Sequence, residues 1–267
     1  MDDFMKLRLL TEEKLQGIVL TSQQKQRLEE ELSVVNKTNA AGVFLRFHDT
    51  MSALKPYGAV CNGIMHCSFL CYILGLTKVN PLDYKLPFER YYNIERKALP
   101  YFPLIVKEED KEKVLSVLRE YFDEEFLQSY AFSLDVAKIG EYRLFTEAEI
   151  YQKTLRHFGA HNFEDDEGYF GIKAAENFFA ETDGKFVYQE QFYTLCNRLL
   201  GVDNTTADLW RKSMSKRRKK ECEPIRERFE NVLGKAGAQL YDYLYNRMLF
   251  AVCKAYVIGL LFLEITR

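Results

Sequence analysis

This sequence has almost no tryptophan, one residue in 267, and little proline or histidine, with 6 and 4. Neither sign of charge is in excess: 37 Lys and Arg face 39 Asp and Glu, for a net charge of −2. The protein as a whole therefore exerts no pull on nucleic acid, and any such contact has to come from a local patch. A long apolar run is missing too. The longest, Met248 to Leu263, is interrupted by Lys254, and a membrane span needs about 18 uninterrupted apolar residues. A buried C-terminal helix is expected there, with no membrane partner. Six cysteines without a paired framework, and no signal-peptide pattern, point to a reducing, cytoplasmic setting. Repeats and low-complexity segments are absent. What is present is ordinary for a globular protein: 47% hydrophobic and 28% charged residues, which excludes general disorder, with a heavy load of 20 Phe and 17 Tyr.

Periodicity and punctuation give an α+β reading, with a mixed front half and a helical back half. Ser22 is placed to cap a helix in which Leu28, Leu32 and Val35 recur at helical spacing. A second helix is expected over Val43 to Leu54, then a short strand breaking into a turn over Gly58 to Gly63. A helix from Met65 to Leu74 should follow, ended by Gly75. Tyr101 to Val106 and Ala131 to Ala137 read as strands, with a helix from Lys107 to Phe122 between them. Tyr188 to Leu200, Thr206 to Leu233 and Ala236 to the C-terminus read as helices. The stretch from His157 to Gly168 is weakest in regular pattern and sets an expected boundary between regions 1–156 and 157–267.

Four stretches, in order, carry a resemblance: RLEEELSVVNKTNAAGVFL (Arg27 to Leu45), GAVCNGIMHCSFLCYILGLTKVNPLDYKLPFERYYNIER (Gly58 to Arg96), VYQEQFYTLCNRLLGVDNTTADLWRKSMSKRRKK (Val187 to Lys220) and, more weakly, the helix around Tyr256. Together they resemble the bacterial C-family replicative DNA polymerases, typified by the alpha subunit of DNA polymerase III. The second is similar to that family's V-G-P-G-R-G-S-G-A-G-S segment and the L-F-E-R-F-L-N-P-E-R after it. The third is similar to the Y-Q-E-Q and A-D-x-x-R-R-A-M-G-K-K-K patterns of its fingers. The resemblance implies a shortened relative: a polymerase-beta-like nucleotidyltransferase palm remnant followed by a mostly helical, fingers-like lobe, with no room between them for a thumb.

The family's chemistry rests on two metal ions clamped by carboxylates. Two of those acids alternate along a P-D-F-D-x-D-F strand, because side chains two apart on a strand face the same way. Here the matching positions are Tyr101, Pro103 and Ile105, with a possible remnant of the third acid at Asp135 and Ser133 in place of a triphosphate-contacting lysine. The glycine-rich phosphate loop, where glycine lets backbone N–H groups approach an anion, keeps Gly63 and Ser68 but carries Cys61, Ile64, Met65 and Cys67 at its other matched positions. The resemblance thus implies loss of catalysis, with no metal and no cofactor.

Other clusters have plain readings. Glu108, Glu109 and Asp110 suit the acidic first turn of a helix, and Glu164 to Glu167 a solvated loop. Cys61, His66, Cys67 and Cys71 lack the C-x₂-C knuckles of structural zinc, and His157 and His161 lack the glutamate of H-E-x-x-H. The remaining functional feature is Arg211 to Lys220, RKSMSKRRKK, in which seven of ten residues are basic. Arg211, Lys212, Lys216, Arg217, Arg218, Lys219 and Lys220 are the candidates for phosphate contact with single-stranded or primed DNA. The expected role is non-catalytic nucleic-acid binding associated with replication. The alternatives are a protein-interaction module or decoy that engages replication proteins and, last, an active nucleotidyltransferase with a rebuilt metal site.

Overall fold

A computed structural model describes residues 1–140, 143–163, 175, 177–261 and 263–264. The backbone forms two compact units, Met1–Arg143 with Ile258–Arg267, and Leu144–Val257. The backbone divides at 143/144, thirteen residues before the expected change of region at 156/157. The helix that crosses it, α8 (Glu147–Phe158), is tied to the second unit by the bond between Thr154 Oγ1 and the Tyr188 hydroxyl (3.0 Å). The chain end rejoins the first unit through a strand pair.

The first unit opens with α1 (Asp3–Lys14), α2 (Ser22–Lys37) and α3 (Ala41–Leu54). Thr21, one residue before the expected Ser22, caps α2 in a reciprocal box with Gln24. The apolar stripe Leu28, Leu32 and Val35 is buried. Next come β1 (Val60–Cys61), α4 (Phe69–Ile73), α5 (Phe88–Tyr91), β2 (Phe102–Val106), α6 (Lys111–Tyr121), α7 (Glu124–Leu127), β3 (Phe132–Val136) and β4 (Lys138–Ile139). In the three-stranded sheet β2 is central, antiparallel to β1 and parallel to β3. A separate ladder joins β4 to β5 (Leu263–Glu264). Phe47 of α3 stacks on Phe102 with centroids 4.1 Å apart, and Phe122 on Phe126 at 4.4 Å. An aromatic layer therefore lines one face of β2.

The helix expected over Met65 to Leu74 is two pieces. Gly63–Cys67 form a tight 3₁₀ turn, and α4 begins only at Phe69. Ser68 is extended (φ −103°, ψ 123°), and its hydroxyl accepts from the Cys71 N–H at 3.0 Å, so the residue caps α4 rather than continuing a helix. Glu31 of α2 fixes this junction. Its fully buried carboxylate accepts from the Ser68 hydroxyl (2.7 Å), the Phe69 and Leu70 N–H groups (2.8 and 2.9 Å) and Arg27 Nε (2.6 Å). Arg27 in turn donates to the carbonyls of Cys67 (2.7 Å) and Leu86 (3.0 Å). One buried ion pair thus links α2, the loop and the segment before α5.

The second unit contains α8, α9 (Gln189–Leu200), α10 (Asn204–Ser215) and α11 (Lys219–Arg247), and α12 (Lys254–Leu261) starts in it. Phe192, Leu195, Met214, Phe229, Leu240 and Leu244 form part of its core. The helix expected over Thr206 to Leu233 is broken after Ser215, where Arg217 adopts a left-handed φ of 52°. Conversely, the gap expected near residue 234 is only a kink inside α11, absorbed by Gly234 (φ 67°, ψ −154°), a conformation open to glycine. The C-terminal helix is also shorter than expected. The chain turns after Arg247 and restarts at Lys254, which is 1% exposed.

Because Arg27 would lose its carboxylate and the buried Ser68, Phe69 and Leu70 donors their acceptor, Glu31→Ala is expected to lower the unfolding free energy by about 3–5 kcal/mol in urea denaturation. Glu31→Gln, which keeps an acceptor for α4, should cost less. A loss below about 1 kcal/mol for the alanine variant would show that the pair is not holding the junction.

Candidate functional site

Two regions hold the predicted site residues, one in each unit. In the first, the parallel register sets Pro103 beside Ser133 and Ile105 beside Asp135. Strand alternation then places Tyr101, Pro103 and Ile105 with Ser133 and Asp135 on one face of the β2–β3 pair, opposite the aromatic layer. The Tyr101 hydroxyl donates to Ser133 Oγ at 2.7 Å, and Ser133 Oγ reaches Asp135 Oδ2 at 3.5 Å. Asp135 is exposed. Ile105, 4% exposed, packs with Leu260, Leu263, Val60 and Ile139. Pro103 is tolerated in mid-sheet because its carbonyl, accepting from the Asn62 N–H at 3.1 Å, faces the edge where β1 ends. Its missing N–H would have pointed to that same edge.

The loop residues are committed elsewhere. Gly63 opens the 3₁₀ turn with φ 62°. Ser68 is fully buried, and its hydroxyl is spent on Glu31 and Cys71. Cys61, Met65 and Cys67 are buried and Ile64 half-buried. Glu108, Glu109 and Asp110 form a short turn ahead of α6, where Asp110 pairs with Lys113 at 3.0 Å. Among the described residues no three His, Cys, Asp or Glu side chains converge as metal ligands. The acidic run Glu164 to Glu167 lies outside the described residues.

In the second unit the basic run separates into an inner and an outer set. Arg211 is 6% exposed; its guanidinium donates to Asp208 Oδ1 through Nη2 (2.9 Å) and Nε (3.2 Å) and to the Tyr193 hydroxyl (3.1 Å). Lys212 Nζ meets Asp208 Oδ2 at 2.5 Å. Burial alone would raise the Asp208 carboxyl, but the Arg211 charge, with the Lys212 and Tyr193 hydrogen bonds, holds it below the usual carboxylate range. Arg217 stacks on the Tyr245 ring (4.0 Å to the centroid) and donates to the Tyr245 (2.6 Å) and Asn246 (3.3 Å) carbonyls at the end of α11. Lys216, Arg218, Lys219 and Lys220 are exposed, with Arg218 in a surface pair with Glu221 at 3.2 Å. Of the seven residues expected to contact phosphate, Arg211, Lys212 and Arg217 have partners within the protein, and Lys216, Arg218, Lys219 and Lys220 are exposed.

Residues 5–165 match the family model for the bacterial DNA polymerase III alpha NTPase domain, and residues 150–237 match that for the alpha subunit finger domain. The chain belongs to the bacterial DNA polymerase III alpha family. Relatives include an error-prone DNA polymerase of Cutibacterium acnes, 37% identical over 78 residues, 28% of this chain and 7% of the relative. The DNA polymerase III subunit alpha of Aquifex aeolicus is 34% identical over 101 residues, 36% of this chain and 9% of the relative. That of Mycoplasma genitalium is 31% identical over 102 residues, 37% of this chain and 12% of the relative. The chain thus aligns with about a tenth of the length of these relatives.

Against the two-metal clamp that the polymerase III alpha resemblance implies, the donor set of the β2–β3 face does not fit, since Asp135 is its one carboxylate among the described residues. Sequence reasoning missed two buried clusters. Lys254 Nζ reaches Glu147 (2.7 Å) and Glu181 (3.3 Å) over the Tyr188 ring, and Asp208 anchors Arg211, Lys212 and Tyr193. A lone lysine inside an apolar run was the available signal for the first. Asp208 and Arg211, three apart on one helix, were the signal for the second.

Arg211→Ala is expected to cost about 1–3 kcal/mol of stability, because the buried Asp208 loses one of its two cations and keeps Lys212 and the Tyr193 hydroxyl. Asp208→Asn should also destabilise at pH 7. The folded-state carboxyl is depressed, so its contribution is present above the unfolded value of about 3.9 and is lost as pH falls through the folded value. The gap between parent and Asp208→Asn should therefore narrow below about pH 4 in denaturant unfolding. A gap independent of pH would contradict an ionised Asp208.

Proposed function

We propose that this chain is a non-catalytic member of the polymerase III alpha family that contacts nucleic-acid phosphate. In this reading the first unit is a palm remnant whose metal chemistry is gone, and the second is a fingers-like lobe whose outer basic set still meets DNA. One observation carries the proposal: the strand face that would need converging carboxylates presents Tyr101, Pro103 and a buried Ile105, with Asp135 alone beside them. A single carboxylate does not organise two divalent ions in the clamp that templated nucleotide addition uses. The loop supports the same reading, because Ser68 and the start of α4 are satisfied by Glu31 rather than open to an anion.

Binding then rests on Lys216, Arg218, Lys219 and Lys220. They are adjacent or nearly so, too close together to read bases one by one, and would act through phosphate and counterion release. The setting is replication, by family membership, with single-stranded or primed DNA as the ligand class.

Each phosphate contact to a single strand contributes about 0.7 to the slope of log K against log salt, so four give roughly −3. Titration of labelled single strands over a salt series should yield that slope for unrelated sequences. Replacing Lys216, Arg218, Lys219 and Lys220 with Gln should bring it close to zero with the unfolding midpoint unchanged. A quadruple variant that binds as the parent does would overturn the phosphate-contact role and favour a protein-interaction module instead.

A further inference from the structure

The three-stranded sheet of the first unit ends on β3, which has β2 as its one strand neighbour among the described residues. At the two ends of that pair the Phe102 N–H donates to the Ala131 carbonyl (2.7 Å) and the Ala137 N–H to the Val106 carbonyl (3.0 Å). Alternation along the ladder then turns the backbone groups of Ser133 and Asp135 toward β2, and those of Phe132, Leu134 and Val136 outward. The Phe132 N–H closes a turn on the Ser129 carbonyl at 3.3 Å. The N–H groups of Leu134 and Val136, and the carbonyls of Phe132, Leu134 and Val136, have no backbone partner among the described residues. The side chains are open as well: Asp135 is exposed, Val136 is 38% exposed and Leu134 is half-buried.

Strand edges are commonly blunted by proline, lysine or a bulge. The sequence of β3, FSLDV, has neither residue, and it pairs with β2 residue for residue, so the edge is a template for one more strand. The strand's own residues select the occupant. Laid antiparallel on a second copy about Leu134, the outward groups of Leu134 meet those of the other Leu134, and Phe132 meets Val136. Ser133 then falls opposite Asp135 of the second copy. The Ser133 hydroxyl accepts from Tyr101 at 2.7 Å and still has its own proton to give, while Asp135 of the same chain lies at 3.5 Å, the far limit of a hydrogen bond. Other registers match less well. Centring on Asp135 sets two carboxylates face to face, and centring on Ser133 leaves Asp135 opposite Ala131 with no donor.

We propose that β3 is a self-association edge, on which two copies of the chain pair antiparallel about Leu134 and join their sheets into one across a two-fold axis. Leu134 of each copy lies beside the other, and each Ser133 donates to Asp135 of the second copy. A strand pair this short is a small contact, below the roughly 1,200 Å² of total area that stable complexes bury, so the dimer is weak and depends on concentration. The proposal does not rest on the phosphate-contact reading, which concerns residues of the second unit.

The test is sedentation equilibrium of the full chain over a concentration series up to about 1 mM, the range of weak association, with amide hydrogen exchange read by NMR at the two ends of the series. A monomer–dimer equilibrium is expected, and the amides of Leu134 and Val136 should gain protection as concentration rises. Val136→Pro removes an outward N–H at an edge position that tolerates proline, and should weaken the dimer about thirtyfold by deleting two symmetric hydrogen bonds. Ser133→Asp, which leaves every backbone group in place and so keeps the test open if the proline variant does not fold, sets like charges opposite each other twice. It should weaken the dimer about fivefold. Adding Asp135→Ser to Ser133→Asp exchanges the two side chains, restores the match and should restore the dimer. A monomer throughout, protection gained elsewhere with Leu134 and Val136 unchanged, a folded Val136→Pro that dimerises like the parent, or a double variant no better than Ser133→Asp would each overturn the proposal.

Discussion

Strand β2 is buried on both faces, and the arrangement of the first unit depends on that burial. On one side Phe102 lies against Phe47 and the aromatic layer; on the other Ile105 sits under Leu260 and Leu263. A strand packed this way cannot hold ionised side chains without partners, because a buried unpaired carboxylate is penalised by several kcal/mol. Apolar residues at the positions implied for metal-holding acids and an apolar cover brought by the last residues of the chain are therefore one feature seen twice. Acid at position 105 would demand water or metal where Leu260 and Leu263 now pack. The β4–β5 ladder, pairing Ile139 with Leu263, holds that cover in place.

The second unit handles its charges by another rule. Its buried ions come in satisfied sets: Asp208 with Arg211, Lys212 and Tyr193, and Lys254 with Glu147 and Glu181 over Tyr188. A basic run that looks uniform in sequence is divided by a single turn. Arg217 at φ 52° ends one helix and sends the next in a new direction, and stacking on Tyr245 helps offset the strain of that conformation. Residues before the turn serve the core, and most of those after it meet solvent.

The elements legible in the sequence were those with strong local patterns. The Leu28, Leu32, Val35 stripe defined α2, and the apolar run to Val106 defined β2, each within a residue or so of the observed ends. The parallel register that sets Ser133 beside Pro103 and Asp135 beside Ile105 was not among the sequence expectations. The misses have physical causes. Ser68 reads as part of a helix unless Glu31, distant in sequence, is known to cap the same junction. The break at Arg217 is set by a ring on α11, and Lys254 breaks an apolar run only because two glutamates from elsewhere neutralise it. All three are tertiary effects that local propensity does not contain.

The central claim is that no carboxylate pair remains to drive templated nucleotide addition. Primer extension with highly purified chain, Mg²⁺ or Mn²⁺, all four deoxynucleoside triphosphates and a primed template tests it most directly. The account predicts no product above that of an Asp135→Ala variant under the same conditions. Template-directed extension by the parent chain that Asp135→Ala abolishes would contradict it.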